Sequence, residues 1–367
     1  MNLLRRAPAI SLPVAPAGDE VRAGYLRPSL WPRLGLALAL LAAALLAGLA
    51  LGPASIPADA VLRTVLARLT GLNVAGGVPR VWQEIVWEVR LPRVLLAGLV
   101  GATLAMAGAT YQGVFRNPLA DPYLIGVATG AALGATIVVV SSLSLAWHGL
   151  SLLPLAAFAG ALLSVVVVYA VARVDNAAPT TTLILAGVAV ASFSTALTSY
   201  LMLRSTTHMF TVFAVILGGL NTASWPKLAW AAPYALPAAV LIVAHGRVLN
   251  VLSLDEEQAR HLGVDVERTK LLLLGAASLA TAAAVSVSGT IGFVGLIVPH
   301  AVRLVWGADN RHLVPLAMIT GAAFLILADL LARTADAPSE IPVGIITAFC
   351  GVPFFLYLLR RSKGGAW

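Results

Sequence analysis

Long apolar runs broken by short polar joints dominate the chain from residue 34 onward. They predict ten helices, at roughly 34–52, 93–114, 122–141, 151–171, 180–203, 227–246, 269–289, 291–305, 313–332 and 341–359. Runs of about 18 residues or more match the hydrocarbon thickness of a bilayer and exceed the needs of a globular core. They are continuous and rich in Leu, Ala, Val and Gly, without the ten-residue alternation of a membrane barrel, so the expected fold class is an all-α polytopic membrane protein. The first run is too long for a signal-peptide core and is read as a retained span. Residues 1–33 are then a tail, 34–361 a ten-helix transmembrane domain, and 362–367 a short C-terminal tail.

Local punctuation refines these elements. Asp121-Pro122 offers an N-cap followed by proline at the first helical position, and Ser339 with Pro342 does something similar for the last helix. Gly126, Gly130 and Gly134 recur every four residues, as do Ala97, Gly101, Ala105 and Ala109. Such faces let helix backbones approach closely in lipid, where contact gains no hydrophobic energy. The eighth helix is short and contains Pro299, which removes a backbone bond and clashes with the Gly295 carbonyl. It is too short to cross as a straight lipid-facing helix and must pack inside the bundle. Met209 to Leu220, apolar but too short to span, reads as a re-entrant or interfacial helix ended by Gly218-Gly219.

Composition agrees: 59% of the 367 residues are apolar and only 11% charged. Against that background, eight of the eighteen residues from Ser253 to Lys270 carry charge. With the N-terminal tail in the cytoplasm, sixteen of the 24 Lys and Arg residues fall on that side, which supports both termini being cytoplasmic. The charged module then lies in the cytoplasm, between the sixth and seventh helices, where a soluble protein can read it. Orientation accounts for the basic excess, so the expected surroundings are membrane lipid and protein, with no nucleic acid.

Catalytic signatures are missing. The sequence has no G-x-x-x-x-G-K-[ST] phosphate loop and no H-E-x-x-H, and its one cysteine, Cys350, has no mate for redox or metal work. No metal site, cofactor or enzymatic activity is expected in the chain, and energy for uphill work must come from a partner or an ion. Ion coupling needs an ionisable group within a span, and Asp329 is the candidate acid, with Arg333 one turn away to pair with it. An ion-coupled secondary transporter of a small solute and a membrane scaffold without transport therefore stand as alternatives.

Four motifs converge on one family. Tyr111 to Gly130 (YQGVFRNPLADPYLIGVATG), Gly289 to Arg303 (GTIGFVGLIVPHAVR), Ala328 to Arg333 (ADLLAR) and Glu340 to Gly344 (EIPVG) keep the order and spacing of the permeases of type II ABC importers. The chain resembles this FecCD-like family, which takes up iron-siderophores, haem and vitamin B12, over roughly residues 86–361. Asn117, Pro118, Asp121, Pro122, Gly292, Gly295, Pro299, His300, Arg303, Asp329, Glu340, Pro342 and Gly344 carry the motifs.

The resemblance implies a homodimer in the inner membrane, joined to two cytoplasmic ABC ATPase subunits that bind ATP and Mg, and to a periplasmic binding protein that delivers an iron chelate, haem or cobalamin. It implies that the charged module forms two short coupling helices seated on the ATPase. Asp255, Glu256, Glu257 and Arg260 would make polar contacts, Leu254, Ala259, Leu262 and Val264 an apolar seat, and Gly263 the break between the helices. It also implies that Arg90 and Arg93, in VRLPR, and Arg333 lie exposed on the outer face and pair with acidic residues of the binding protein. The fifth and tenth helices would line the path, with Thr180, Thr181 and Thr182 at a cytoplasmic gate; helix capping explains these threonines equally well.

Overall fold

The computed structural model describes residues 30–52, 56–72, 74–141, 146–147, 150–173, 178–204, 209–254 and 256–362. The two tails and Asp255 lie almost wholly or wholly outside them. The described chain is helical apart from a two-residue antiparallel pairing of Ala146–Trp147 with Leu150–Ser151. Seven helical stretches are long and apolar enough to cross a membrane: α1 (Leu30–Ala50), the continuous stretch from α3 (Arg80–Glu84) through a π-helical turn (Ile85–Arg90) into α4 (Leu91–Phe115), α6 (Leu152–Ala172), α7 (Thr180–Arg204), α9 (Trp225–Ala244), α12 (Val266–Ser288) and α14 (Asn310–Thr334). Three shorter apolar helices, α5 (Val127–Val140), α13 (Val294–Trp306) and α15 (Val343–Ser362), complete the ten expected from the hydrophobic pattern.

Helices α4, α12 and α14 form the buried centre, whereas α1, α6, α7 and α9 leave most of their surfaces facing outward. α4 packs against α14, α12, α13 and α9, and α5 lies along α6. The small-residue faces do what their spacing predicts: Gly130 on α5 meets Gly160 on α6 backbone to backbone, and Gly101 on α4 meets Gly321 on α14. At Gly108 an added methyl would strike the Gly295 carbonyl at the start of α13. Gly108→Ala should therefore destabilise the permease domain by about 1–3 kcal/mol, the usual cost of overpacking, read as a lower unfolding midpoint in detergent.

Other elements fall outside the hydrophobic-run prediction. α2 (Ala58–Thr70) and α3 stand at the end of the bundle where α1 finishes. Ile56, Ala60 and Val61 pack there on Val86, and Arg68 lies over the Trp87 ring. The interfacial helix expected at 209–220 is α8 (Met209–Leu217), closed by Gly218 in a left-handed conformation. At the opposite end, α10 (Gly246–Leu252) and α11 (Glu256–His261) connect α9 to α12.

Candidate functional site

At the end of the bundle where α1 stops, three arginines and two carboxylates meet. Arg90 and Arg93 sit on the helical stretch that begins at Arg80, thirteen residues before the predicted start of the second span, and this places both side chains inside the bundle. The expectation that Arg90, Arg93 and Arg333 lie exposed is corrected: they are 4%, 7% and 3% exposed. Arg93 donates from Nε and Nη2 to both oxygens of Asp329, at 2.9–3.1 Å, and from Nη1 and Nη2 to Glu340 at 2.9 and 3.1 Å. Arg90 Nη1 donates to the carbonyls of Leu49 and Ala50 at 2.7 and 3.0 Å, and Arg333 Nη2 donates to that of Gly48. Those are the last carbonyls of α1, which have no partner within their own helix, so the guanidiniums cap it from the side. The predicted Asp329–Arg333 pairing is present, at 3.7 Å, but is secondary to Arg93.

Deeper in the bundle, the segment Gly289–Phe293 joins α12 to α13. Thr290 N–H donates to Val215 O, and the Thr290 hydroxyl to Ile216 O, satisfying carbonyls at the end of α8. On its other side, Tyr123 exchanges two hydrogen bonds with Ile291, donating to its carbonyl at 3.0 Å and accepting from its N–H at 3.2 Å. Pro299 leaves the Gly295 carbonyl without its helical donor, and buried Gln112 on α4 supplies one from Nε2 at 3.2 Å. α13 is only thirteen residues, about 20 Å at 1.5 Å per residue, so this joint lies within the bundle.

Most other motif residues are joints as well. Asn117 Oδ1 accepts from Leu119 N–H, and Asp121 Oδ1 from Tyr123 N–H, where it caps the 3₁₀ turn Pro122–Ile125. Burial raises the Asp121 carboxyl to about 6, the Tyr123 N–H opposing that rise. His300 meets the Phe354 ring edge-on between α13 and α15, and Gly344 abuts the Leu217 carbonyl. Pro342 accepts from Ile345 N–H in the first turn of α15. Gly292 has open space around it, and Arg303 stands in the last turn of α13.

The opposite end presents the charged module. Gly263, at φ +82°, breaks the chain after α11 as expected. The second short coupling helix expected to begin after Gly263 is instead the first turn of α12, because Asp265 caps that long helix by accepting from Arg268 N–H. The two short helices here are α10 and α11. Ser253, just past α10, donates its hydroxyl back to Asn250 O. Leu254 and Leu262 are exposed as expected of an apolar seat, Val264 is half-buried, and Ala259 is fully buried, so Ala259 is removed from the contact set. Glu257 and Arg260 face outward.

Two ties anchor this end. Arg116 Nη1 donates to Leu254 O at 3.3 Å, and Asn250 joins α10 to α14 by donating to Asp309 at 2.7 Å and accepting from Asn310 N–H at 2.8 Å. Hydrogen bonds from Arg311, and then from Asn250, hold the Asp309 carboxyl well below the usual range. A depressed folded-state value gives stability that is present above the ordinary carboxylate pKa of about 3.9 and lost as pH falls through the folded value. The unfolding midpoint of the wild-type chain should thus fall more steeply below about pH 4 than that of Asp309→Asn, with parallel curves at pH 5–7.

The turn expected as a gate lies beside this module. Thr180 starts α7, Thr181 is exposed and Thr182 half-buried, and Ala178 N–H donates to Glu267 Oε2 in the first turn of α12 at 3.4 Å. From Thr181 a single face of α7 runs through Val188, Ser192, Thr195 and Ser199, all exposed. Hydroxyls repeated along the outward face of a membrane helix suit a wet passage or a protein neighbour better than lipid tails. Among the described residues, no three His, Cys, Asp or Glu side chains cluster as a metal site.

Comparison with known proteins gives this architecture a family. The model of the FecCD transport family matches residues 40–361. The chain belongs to the FecCD transport family. The permease is 49% identical to the cobalamin import system permease protein BtuC of Halobacterium salinarum over 78% of this chain and 76% of that one. It is 41% identical to the hemin transport system permease protein HmuU of Yersinia pestis, over 76% and 84% of the two chains. A solved structure described as a metal-chelate type ABC transporter in an inward-facing conformation superposes with a TM-score of 0.77 at 30% identity, covering 91% of the permease and all of that chain. The resemblance to type II ABC importer permeases is thereby established.

Sequence reasoning missed Gln112, Tyr123, Asn250 and Glu267, each a polar side chain whose partner is backbone or side chain more than fifty residues away. Only Gln112 left a signal: a buried-span proline such as Pro299 frees a carbonyl that some donor has to meet.

Proposed function

We propose that this permease is the membrane half of an ATP-driven importer that takes an iron chelate, haem or corrinoid from a periplasmic binding protein and releases it into the cytoplasm. The observation that carries the reading is the exposed elbow of α11 and Gly263, with Leu254 and Leu262 as apolar tips beside Glu257 and Arg260. Exposed leucines ringed by charge, on a loop tied to the bundle, suit docking of a soluble partner. That partner is the ATPase, which holds ATP and Mg, since the sequence has no phosphate loop of its own. Two copies of the permease pair across the hydroxyl-bearing face of α7, with α15 completing the path. Both termini and the elbow face the cytoplasm, in the inner membrane.

Transmission has a short physical route. Movement of the elbow moves the first turn of α12, and Glu267 there holds the backbone of Ala178 just ahead of α7. Closure of the ATPase pair is thus felt at the Thr180–Thr182 turn, and partner binding shifts the permease between its inward- and outward-open states. Direct docking on Arg90, Arg93 and Arg333 is not part of this reading, because those guanidiniums are committed inside the bundle; the exposed loop from Thr334 to Glu340 is the surface available there. The ion-coupled alternative loses its candidate acid, because Asp329 is held by Arg93 and Arg333. Co-expression tests the assembly: the permease should purify with its ATPase as a two-plus-two complex by native mass spectrometry. Recovery of the permease alone under conditions that keep the ATPase folded would overturn it.

A further inference from the structure

Helix α2 divides into three faces. Ala60, Val61 and Thr64 are buried, the first two packing on Val86. On the side turned away from the bundle, Leu62, Leu66 and Leu69 recur at intervals of four and three residues and are 56%, 43% and 70% exposed. Asp59, Arg63 and Thr70 make a separate exposed strip, where Asp59 and Arg63 pair across one turn at 3.5 Å. The apolar stripe continues past the Gly71 cap into Leu72, which is exposed as well. The ion pair marks the solvent side of α2. A row of leucines beside it that covers no protein surface calls for another apolar neighbour.

The level of α2 says which neighbour that is. α1 has 21 residues, about 31 Å at 1.5 Å per residue, which matches a hydrocarbon layer of about 30 Å. Arg90 caps its last carbonyls, and Val86, on which α2 rests, lies four residues earlier on the same helical stretch. α2 therefore sits about one helical turn, or about 5 Å, beyond the end of α1, within the layer of lipid headgroups. Leu46 and Leu51, at the close of α1, are exposed too, so the bilayer-facing surface of α1 continues onto α2. Three arginines, Arg63, Arg68 and Arg80, outnumber the one acid, Asp59, in this region, a balance that suits lipid phosphates. At thirteen residues α2 cannot cross the bilayer, but it is long enough to lie in its surface. We propose that α2 is an interfacial helix whose partner is the lipid leaflet at this end of the bundle, with Leu62, Leu66 and Leu69 in the acyl boundary and Arg63 at the level of the phosphates. Through Val86 it ties the start of the Arg80–Phe115 stretch to the membrane surface. This requires only that the bundle spans a membrane, and it stands apart from the importer reading.

The test uses the full-length permease in nanodiscs of mixed phosphatidylethanolamine and phosphatidylglycerol. In a Cys350→Ser background, Leu62→Cys, Leu66→Cys and Leu69→Cys on the stripe, and Asp59→Cys, Arg63→Cys and Thr70→Cys on the polar strip, each carry one nitroxide label. All six positions are exposed, so the labels displace no packing, and unfolding midpoints are read in parallel. Electron paramagnetic resonance compares collisions with oxygen, which concentrates in the bilayer, and with a nickel chelate, which stays in water. The oxygen-to-nickel ratio should be several-fold higher at the three leucine positions than at the three polar ones, and lower than at Leu46→Cys, which lies deeper on α1. Equal nickel access at all six positions overturns the proposal. So does nickel access at the leucine positions that is lost only on adding the binding protein, or only in nanodiscs holding two permeases, because the stripe would then belong to that protein or to a second copy.

Discussion

Arg93→Met should destabilise the permease by roughly 3–5 kcal/mol, the cost of leaving a buried carboxylate without its cation. Asp329 is 1% exposed and takes three hydrogen bonds from Arg93, and Glu340 takes two more. Arg333 lies close to Asp329, but its Nη2 is engaged with the Gly48 carbonyl, so it compensates only in part. Removing the carboxylates together with their partner should be far milder, because apolar replacement of a whole buried ion pair is often neutral. Arg93→Met and Arg333→Met together with Asp329→Leu and Glu340→Gln, which leaves no member of the ion cluster without its counter-charge, should therefore recover most of the lost stability. Thermal unfolding in detergent checks both; a wild-type midpoint for Arg93→Met alone would show that the cluster does not hold the fold.

The second large effect is on assembly and should leave the fold untouched. Leu262 is 63% exposed at the tip of the elbow, beside Gly263. Leu262→Asp puts a charge where the ATPase is proposed to bury an apolar contact. Loss of a central interface residue typically costs 2 kcal/mol or more, which is about 30-fold in affinity. ATPase binding, measured by biolayer interferometry on the solubilised permease, should fall at least that far while the unfolding midpoint stays at the wild-type value. Undiminished binding would move the docking surface away from α11.

Much of the fold was legible because lipid imposes a strong rule: spans need long apolar runs, and all ten expected helices are present. The same rule hides what is polar and buried. Trp82, Gln83 and Glu84 interrupt the apolar run before Arg90, so the second span reads as starting at 93, although the helix is already formed at Arg80. A charge at a run's edge looks exposed when its partners, here Asp329, Glu340 and the carbonyls of α1, are distant in sequence. α2 was hidden for another reason: thirteen residues of mixed character fall below the span threshold, and the helix is stabilised by packing on Val86 from a later element.

At the candidate site, the elbow's existence and its glycine break were readable, but its division was not. Gly246 begins a helix of its own, lying against the Arg311 backbone, so the residues between α9 and the elbow became α10. Asp265 captures the following residues for α12 through its cap on Arg268 N–H. Both outcomes depend on tertiary contact and a single side-chain bond, which composition does not encode. Family motifs marked where chain segments meet but not what they do there: Gly295 and Gly344 are close-approach points.

Uptake into sealed proteoliposomes containing the permease, its ATPase and the binding protein tests the central claim most directly. With a labelled chelate bound by that binding protein, accumulation should require ATP and all three proteins, and should persist when a protonophore and a sodium ionophore collapse the ion gradients. Accumulation by the permease alone, driven by a proton or sodium gradient and indifferent to ATP, would contradict the account.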